Sequence, residues 1–403
     1  MSENKIIRML SLWLDYIASY GKVKDKHIWV FGEWFGQRSG DNCTYFANYV
    51  AQRSSNIEIY WICNKNTNTD ILDKKIKILE RGSREAEGIL NKAGAIFMNQ
   101  NFLDVSLTPF NKYGRSLSVN FWHGFPWKKI GHDADKRSSF LFRLYCKTID
   151  PVQKAKKYIT LSDEYSQKME SAFGIKSKQF IKAGYPRNYG LYSKAFQRES
   201  KKIVIESIQN ANSCSINDDV RFIAYMPTFR DSGDKPIDLR TAFDEKFYRW
   251  LSDNKIFILQ KAHFVDSDNE NKTPLINNNV INVNQLNAAT LMAASDVLIT
   301  DYSSCMFDYL ILDRPIIQFV YDYENYKNKD RGLFFDLNDI KCGKVSYNSK
   351  ELQDAIINSL ELEKEYSVLR QERLVNLMTY ESSDSCEIIF QNVCQSLGIK
   401  GYD

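Results

Sequence analysis

Short apolar runs separated by polar stretches of helix length recur along this chain. His27 to Phe31, Ile57 to Cys63, Ile76 to Leu79, Ala95 to Met98, Leu117 to Trp122 and Tyr158 to Leu161 predict buried strands in the first half. Arg221 to Met226, Ile256 to Lys261, Val280 to Asn282, Asp296 to Thr300 and Pro315 to Val320 predict a second series, with helices from about Ser349 to Leu397 closing the chain. Strands alternating with helices imply parallel sheets covered on both faces. Between the two series, Tyr192 to Asp218 is rich in Ser, Asn and Lys around a predicted helix near Ser200 to Asn210, which places a junction there and gives domains 1–195 and 196–403. At the start, Ile6, Met9, Leu10, Trp13 and Ile17 recur at helical spacing opposite Arg8, Ser11 and Asp15, the pattern of an amphipathic helix that packs on its own domain or lies in a membrane plane.

A length of 403 residues suits two α/β domains better than one core. The net charge of +4 comes from 54 basic and 50 acidic residues, too balanced a set to imply nucleic-acid binding. The eight cysteines form no C-x-x-C pair and do not cluster with the four histidines, so neither a zinc site nor a disulfide framework is expected, and a reducing cytoplasm is the natural setting. No stretch reads as a signal peptide or a membrane span.

Candidate chemistry centres on Asp296 to Asp308, where a predicted strand runs into Asp301-Tyr302-Ser303-Ser304 and a helix opens. Unpaired amides and two serine hydroxyls at such a turn serve either as simple capping or as a phosphate cradle. Four further motifs accompany it: Asn120-Phe121-Trp122-His123-Gly124-Phe125-Pro126-Trp127, then Ala183-Gly184-Tyr185-Pro186-Arg187-Asn188, then Tyr225-Met226-Pro227-Thr228-Phe229-Arg230, and Phe257 to His263. All are placed at strand carboxyl ends, where open parallel sheets bind ligands.

In this order and spacing the motifs, with Arg331-Gly332-Leu333-Phe334-Phe335-Asp336, resemble the CDP-glycerol glycerophosphotransferase family over roughly residues 28 to 340. The resemblance implies an α/β fold of GT-B type, two Rossmann-like domains facing across a central cleft. It also implies transfer of glycerol phosphate from CDP-glycerol to a glycerol-containing, lipid-linked acceptor, with release of CMP. CDP-ribitol as donor, a nucleotide-sugar glycosyltransferase or epimerase of the same architecture, and a non-catalytic scaffold are the alternatives. Donor contacts are implied at Gly124, Phe125, Pro126, Trp127, Arg187, Pro227, Thr228, Lys261, Ala262, His263, Ser303, Ser304 and Asp308. Phe125 and Trp127 depart from the family pattern in a way that bears on acceptor preference.

An alcohol nucleophile needs a base near neutral pKa, which points to His123, exposed by the turn at Gly124. His263 and Lys261, two residues apart after a strand, are expected at the leaving CMP, with Arg187 and Arg230 as guanidinium forks for phosphate. Asp308, four residues beyond Ser304, is expected to accept from ribose or glycerol hydroxyls. No cofactor and no metal ligand set is indicated. Arg137 to Lys147, followed by Lys154, Lys156 and Lys157, interleaves aromatic and basic residues and fits either core packing or an anionic membrane face, which would place the enzyme peripherally on the cytoplasmic side of the membrane.

Overall fold

The computed structural model describes residues 14, 16–19, 21–108, 111–134, 155–212, 216–228, 230, 235–261, 279–329, 332–361 and 364–400. The chain forms two compact units, Met1–His123 with Lys136–Tyr189 and Tyr380–Asp403, and Gly124–Asp135 with Gly190–Thr379. The junction expected at 195/196 stands beside the crossing at Tyr189. Two further exchanges are structural findings: a short excursion at 124–135, and the return of the C-terminal segment to the first unit.

The first unit carries a parallel sheet of seven strands, β1 (Asp25–Phe31), β2 (Glu58–Cys63), β3 (Lys77–Glu80), β4 (Ala93–Met98), β5 (Leu117–Asn120), β6 (Lys157–Thr160) and β7 (Phe180–Lys182), in the order β3-β2-β1-β4-β5-β6-β7. Helices α1 (Asn42–Arg53), α2 (Arg84–Lys92) and α3 (Asp163–Phe173) connect strands, and the last helix, Ser385–Leu397, also belongs to this unit. Successive residues of β1 face opposite sides. Ile28 and Val30 join Ile62, Ile96 and Met98 in one aliphatic layer. Trp29 and Phe31 join Phe46, Phe97 and Phe121 on the other, with Phe31 and Phe97 stacked at 4.4 Å.

The second unit repeats the plan with six parallel strands, β8 (Arg221–Met226), β9 (Ile256–Gln260), β10 (Val280–Asn282), β11 (Val297–Thr300), β12 (Ile316–Phe319) and β13 (Lys344–Ser346), ordered β10-β9-β8-β11-β12-β13. Its helices include α4 (Lys194–Asn212), α5 (Glu245–Asp253), α6 (Ala288–Ala294) and the five-residue α7 (Cys305–Tyr309). In each sheet the strand order reverses direction once, between β1 and β4 and between β8 and β11, so each unit has one switch point where adjacent connections leave to opposite faces. Among the described residues no helix is long and apolar enough to cross a membrane.

Candidate functional site

In the first unit the loops leaving β1, β4 and β5 gather around His123. Strand β5 stops at Asn120, short of the expected Trp122, because the Asn120 side chain accepts the Trp122 amide at 2.7 Å and Trp122 turns to φ 62. The Trp122 carbonyl then accepts from Asn42 at 3.1 Å. Trp34 and Phe35, after β1, also hold positive φ, at 49 and 56. Such backbone costs a non-glycine residue about 1 to 2 kcal/mol and persists only where its surroundings enforce it. Here they do: the Phe35 amide donates to Asp104 at 2.8 Å and the Trp34 indole to Asp41 at 2.8 Å. The imidazole of His123 lies between the Trp122 ring at 4.3 Å and the Trp34 ring at 5.6 Å.

Arg187 reaches this turn from the Gly184-Tyr185-Pro186 motif. One of its Nη atoms donates to Asp41 at 2.9 Å and to the His123 carbonyl at 3.2 Å. That nitrogen therefore serves the turn itself, a different task from the phosphate fork expected of it. The motif is anchored from the C-terminal segment: Gly184 donates to the Ser385 hydroxyl at 3.0 Å, and Tyr185 and Asn188 donate to Glu381 at 3.0 and 2.9 Å. A Cβ at 184 would lie 2.2 Å from the Glu381 carboxylate and 2.6 Å from the Ser385 Oγ, so a larger residue would displace the groups that anchor the motif.

Burial pushes the His123 pKa down to about 4; Asp41 opposes the shift, while Arg187 and Arg38 reinforce it. The Asn99 backbone also favours the charged ring, yet Nδ1 has no hydrogen bond of standard geometry. The ring is therefore neutral at pH 7, the form a general base requires, but a weaker base than the near-neutral one expected from the sequence. Behind it Glu33 is fully buried and accepts from the Asp41 amide (2.9 Å) and the Thr44 hydroxyl (2.9 Å). Burial and the neighbouring Asp41 raise its pKa to about 8. Asp41 is pushed up by burial but held below its ordinary range by Arg187 and Arg38.

The second unit assembles its own group at the β8/β11 switch point. Asp301 follows β11 and accepts the Thr228 amide at 2.8 Å and the Tyr302 amide at 2.6 Å, while Thr300 donates its hydroxyl to the Met226 carbonyl at 2.7 Å. These bonds seat Pro227 and Thr228 beside the Tyr302-Ser303-Ser304 turn. The Thr228 hydroxyl is buried without a hydrogen-bond partner. Ser303 and Ser304 are half-buried, and Ser304 makes no side-chain cap to α7. Gly124 packs directly on this turn: a Cβ there would stand 2.1 Å from the Ser304 Oγ.

Several expected contact residues prove to be internal supports. Phe125 and Trp127 are 3% and 1% exposed, and Pro126 is buried. Phe125 packs on Phe307 at 4.3 Å, Trp127 on Tyr302 at 5.5 Å, and the Trp127 indole donates to the Phe335 carbonyl at 3.0 Å. Arg230 is likewise 2% exposed, paired with Asp301 at 2.8 Å and Asp322 at 2.7 Å amid the rings of Tyr302, Tyr321 and Tyr326. As a buried guanidinium between two carboxylates it braces the turn, in place of the phosphate fork the sequence suggested. Asp308, expected to accept from ribose or glycerol hydroxyls, is buried, with 3% exposure. The Lys261 ammonium donates to the Asn284 carbonyl at 2.8 Å.

Ala262, His263 and Arg137 to Lys147 lie outside the described residues, as does most of Ile6 to Ile17. Among the described residues no group of three or more His, Cys, Asp or Glu side chains is placed to hold a metal ion. The sequence reading gave no individual role to Glu33, Trp34, Asp41, Asn42 or Asp301, although Asp301 stands in the candidate turn after β11. Their signal was present in two acids flanking a glycine-containing loop directly after the first strand, and in an acid directly after β11.

Three comparisons bear on identity. The teichoic acid glycerol-phosphate transferase of Staphylococcus aureus is 24% identical over 382 residues, 93% of this chain and 94% of that protein. The teichoic acid poly(glycerol phosphate) polymerase of Staphylococcus epidermidis is 26% identical over 324 residues, 78% of this chain but only 43% of the polymerase, so the match spans less than half of that relative. The wall teichoic acid polymerase TagF superposes with a TM-score of 0.79 at 21% identity, covering 98% of this chain and 96% of that one, and this likeness establishes the GT-B type of α/β fold. A family model matches residues 15–395, and the chain belongs to the CDP-glycerol:poly(glycerophosphate) glycerophosphotransferase family.

Proposed function

We propose that this protein transfers glycerol phosphate from CDP-glycerol to the terminal hydroxyl of a glycerol-containing acceptor in teichoic acid or capsule-type polymer synthesis. The observation that carries the reading is the family match across residues 15–395, together with a neutral histidine in the first unit and a hydroxyl-bearing switch point in the second. In this reading the acceptor oxygen gives its proton to His123 and bonds to the phosphorus that carries glycerol. The P–O bond to CMP breaks, and CMP departs with the bridging oxygen. Ser303, Ser304 and Thr228 hold the diphosphate by hydrogen bonds that strengthen as charge develops on the leaving phosphate. Lys261 and His263 serve that leaving group.

The acceptor we favour is a lipid-linked glycerol phosphate, reached from the cytoplasmic face of the membrane. Exposed Leu14 and Ile17, at the end of the amphipathic N-terminal pattern, support contact with an anionic surface. Sedimentation with anionic liposomes tests this part. Replacing Arg137, Arg143 and Lys147 with Gln should release much of the bound protein, and equal binding by wild type and triple variant would remove Arg137 to Lys147 from the proposal. The reaction itself is tested by acceptor-dependent CMP release, run in parallel with CDP-glycerol and CDP-ribitol. CMP release from CDP-glycerol that disappears in His123→Ala supports the assignment, and near-normal turnover by the folded variant overturns His123 as base.

A further inference from the structure

The first unit surrounds His123 with more titratable and charged groups than a lone base needs, and all of them come from loops at one end of the sheet. Arg38 and Asp41 act on it from the loop after β1, with Glu33 bonded behind Asp41, and Arg187 from the motif after β7; the Asn99 backbone approaches from the end of β4, with Asp104 beyond it. Asp41 is the hub of this group. It accepts from the Trp34 indole at 2.8 Å and from Arg187 at 2.9 Å, it caps α1 through the Asn42 amide at 2.8 Å, and its own amide is held by Glu33 at 2.9 Å. Both partners it holds touch the histidine: Trp34 flanks the ring and Arg187 grips the His123 carbonyl.

We infer that the ion pair of Asp41 with Arg187, braced by Glu33, is a positioning device for His123. Arg187 fixes the backbone of the turn, Trp34 fixes the plane of the ring, and Asp41 fixes both. Three consecutive consequences are visible. Trp34 and Trp122 keep left-handed backbone that would relax if released. The Asp41–Arg187 pair is only 10 to 12% exposed on its side chains, so its geometry is little affected by solvent. Finally, the two charges act on the ring with opposite sign, Asp41 favouring its protonation and Arg187 opposing it.

The inference rests on His123 as the base, so its test uses a readout that does not need turnover. The chain has four histidines, and in the full-length protein selectively labelled on histidine the His123 resonance is identified by its loss in His123→Gln. Arg187→Met should move the His123 titration upward, toward the ordinary histidine range, whereas Asp41→Asn should not raise it. Arg187→Lys should leave the titration low, because the charge is kept, yet slow acceptor-dependent CMP release by about tenfold to a hundredfold, because the shorter ammonium does not reach both Asp41 and the His123 carbonyl as the Arg187 Nη does. Asp41→Asn should slow release to a similar extent while leaving the donor KM near the wild-type value. Trp34→Phe, which keeps a ring but not the indole donor, should give a smaller loss in the same direction, and serves if Asp41→Asn fails to fold. An unmoved titration in Arg187→Met, or wild-type rates in both Arg187→Lys and Asp41→Asn, overturns the inference. Absence of CMP release in the wild type would overturn the functional reading instead, leaving the titrations to judge the network.

Discussion

Gly124→Ala is the sharpest perturbation the structure offers, because it adds one methyl group at a position with no space for it. The new Cβ would stand 2.1 Å from the Ser304 Oγ and 2.7 Å from its Cβ, against an ordinary contact of about 3.5 to 4 Å. One side must move by more than an ångström. The Gly124 side is held, since Phe125 and Trp127 are buried and Phe334 donates to the Trp127 carbonyl at 2.8 Å, so Ser304 is the group displaced. Overpacking of this kind costs about 1 to 3 kcal/mol in stability. If Ser304 holds the diphosphate, losing a hydrogen bond to a charged group costs a further 1.5 to 3 kcal/mol or so in donor binding, roughly tenfold to a hundredfold in Kd. Calorimetry with CDP-glycerol, CDP and cytidine reads the second effect, and urea unfolding reads the first. Adding Ser304→Gly to Gly124→Ala removes the clashing atoms, so it should restore part of the lost stability, the strain of alanine at φ 158 remaining, without restoring donor affinity. Gly124→Ala with wild-type stability and wild-type CDP-glycerol affinity would refute the packing argument, and recovery of affinity in the double variant would refute the role of Ser304.

Three other outcomes follow from named contacts. Ser303→Ala with Ser304→Ala should weaken CDP-glycerol and CDP alike and spare cytidine; equal weakening of all three by calorimetry would move the serines away from the phosphates. Arg230→Met leaves the buried Asp301 and the half-buried Asp322 without their cation and should cost about 3 to 5 kcal/mol by chemical denaturation, whereas a loss of donor affinity at unchanged stability would mean that Arg230 meets ligand directly. Glu33 binds its proton more tightly folded than unfolded, so its contribution to stability is full below about pH 4.5 and is lost as pH rises through about 8. Glu33→Gln should therefore flatten the decline of unfolding free energy between pH 5 and about 8, and an unchanged slope would show that this carboxyl does not titrate there.

The strands were readable because most are runs of apolar residues that the sheets bury whole, as in β4 and β11. Strands β7 and β13 escaped notice: each has three residues, sits at a sheet edge and carries a lysine, so neither leaves a hydrophobic run. The turn after β11 was legible from its small polar residues, whereas the roles of Arg187 and Arg230 were not. An arginine beside a glycine or proline turn reads the same whether it faces solvent or a carboxylate, and only the distant positions of Asp41, Asp301 and Asp322 decide between them. Phe125 and Trp127 enter the candidate site only through the family resemblance, and their burial was not legible because their partners Phe307, Tyr302 and Phe335 lie far along the chain.

The return of Tyr380–Asp403 to the first unit sets an order on biosynthesis. The Gly184 motif is bonded to Glu381 and Ser385, and the Tyr49 hydroxyl and Arg53 of α1 are bonded to Glu387. None of these partners exists when the first unit's seven strands leave the ribosome. At about 5 to 20 residues per second, the second unit takes roughly 10 to 40 seconds to synthesise before the last helix appears. Throughout that interval the first unit is an open sheet missing one covering helix, with Phe390 not yet packed against Trp29. The nascent chain is thus most exposed to aggregation and proteolysis while its second unit is being made, and a truncation before Tyr380 would harm the half of the molecule that was translated first.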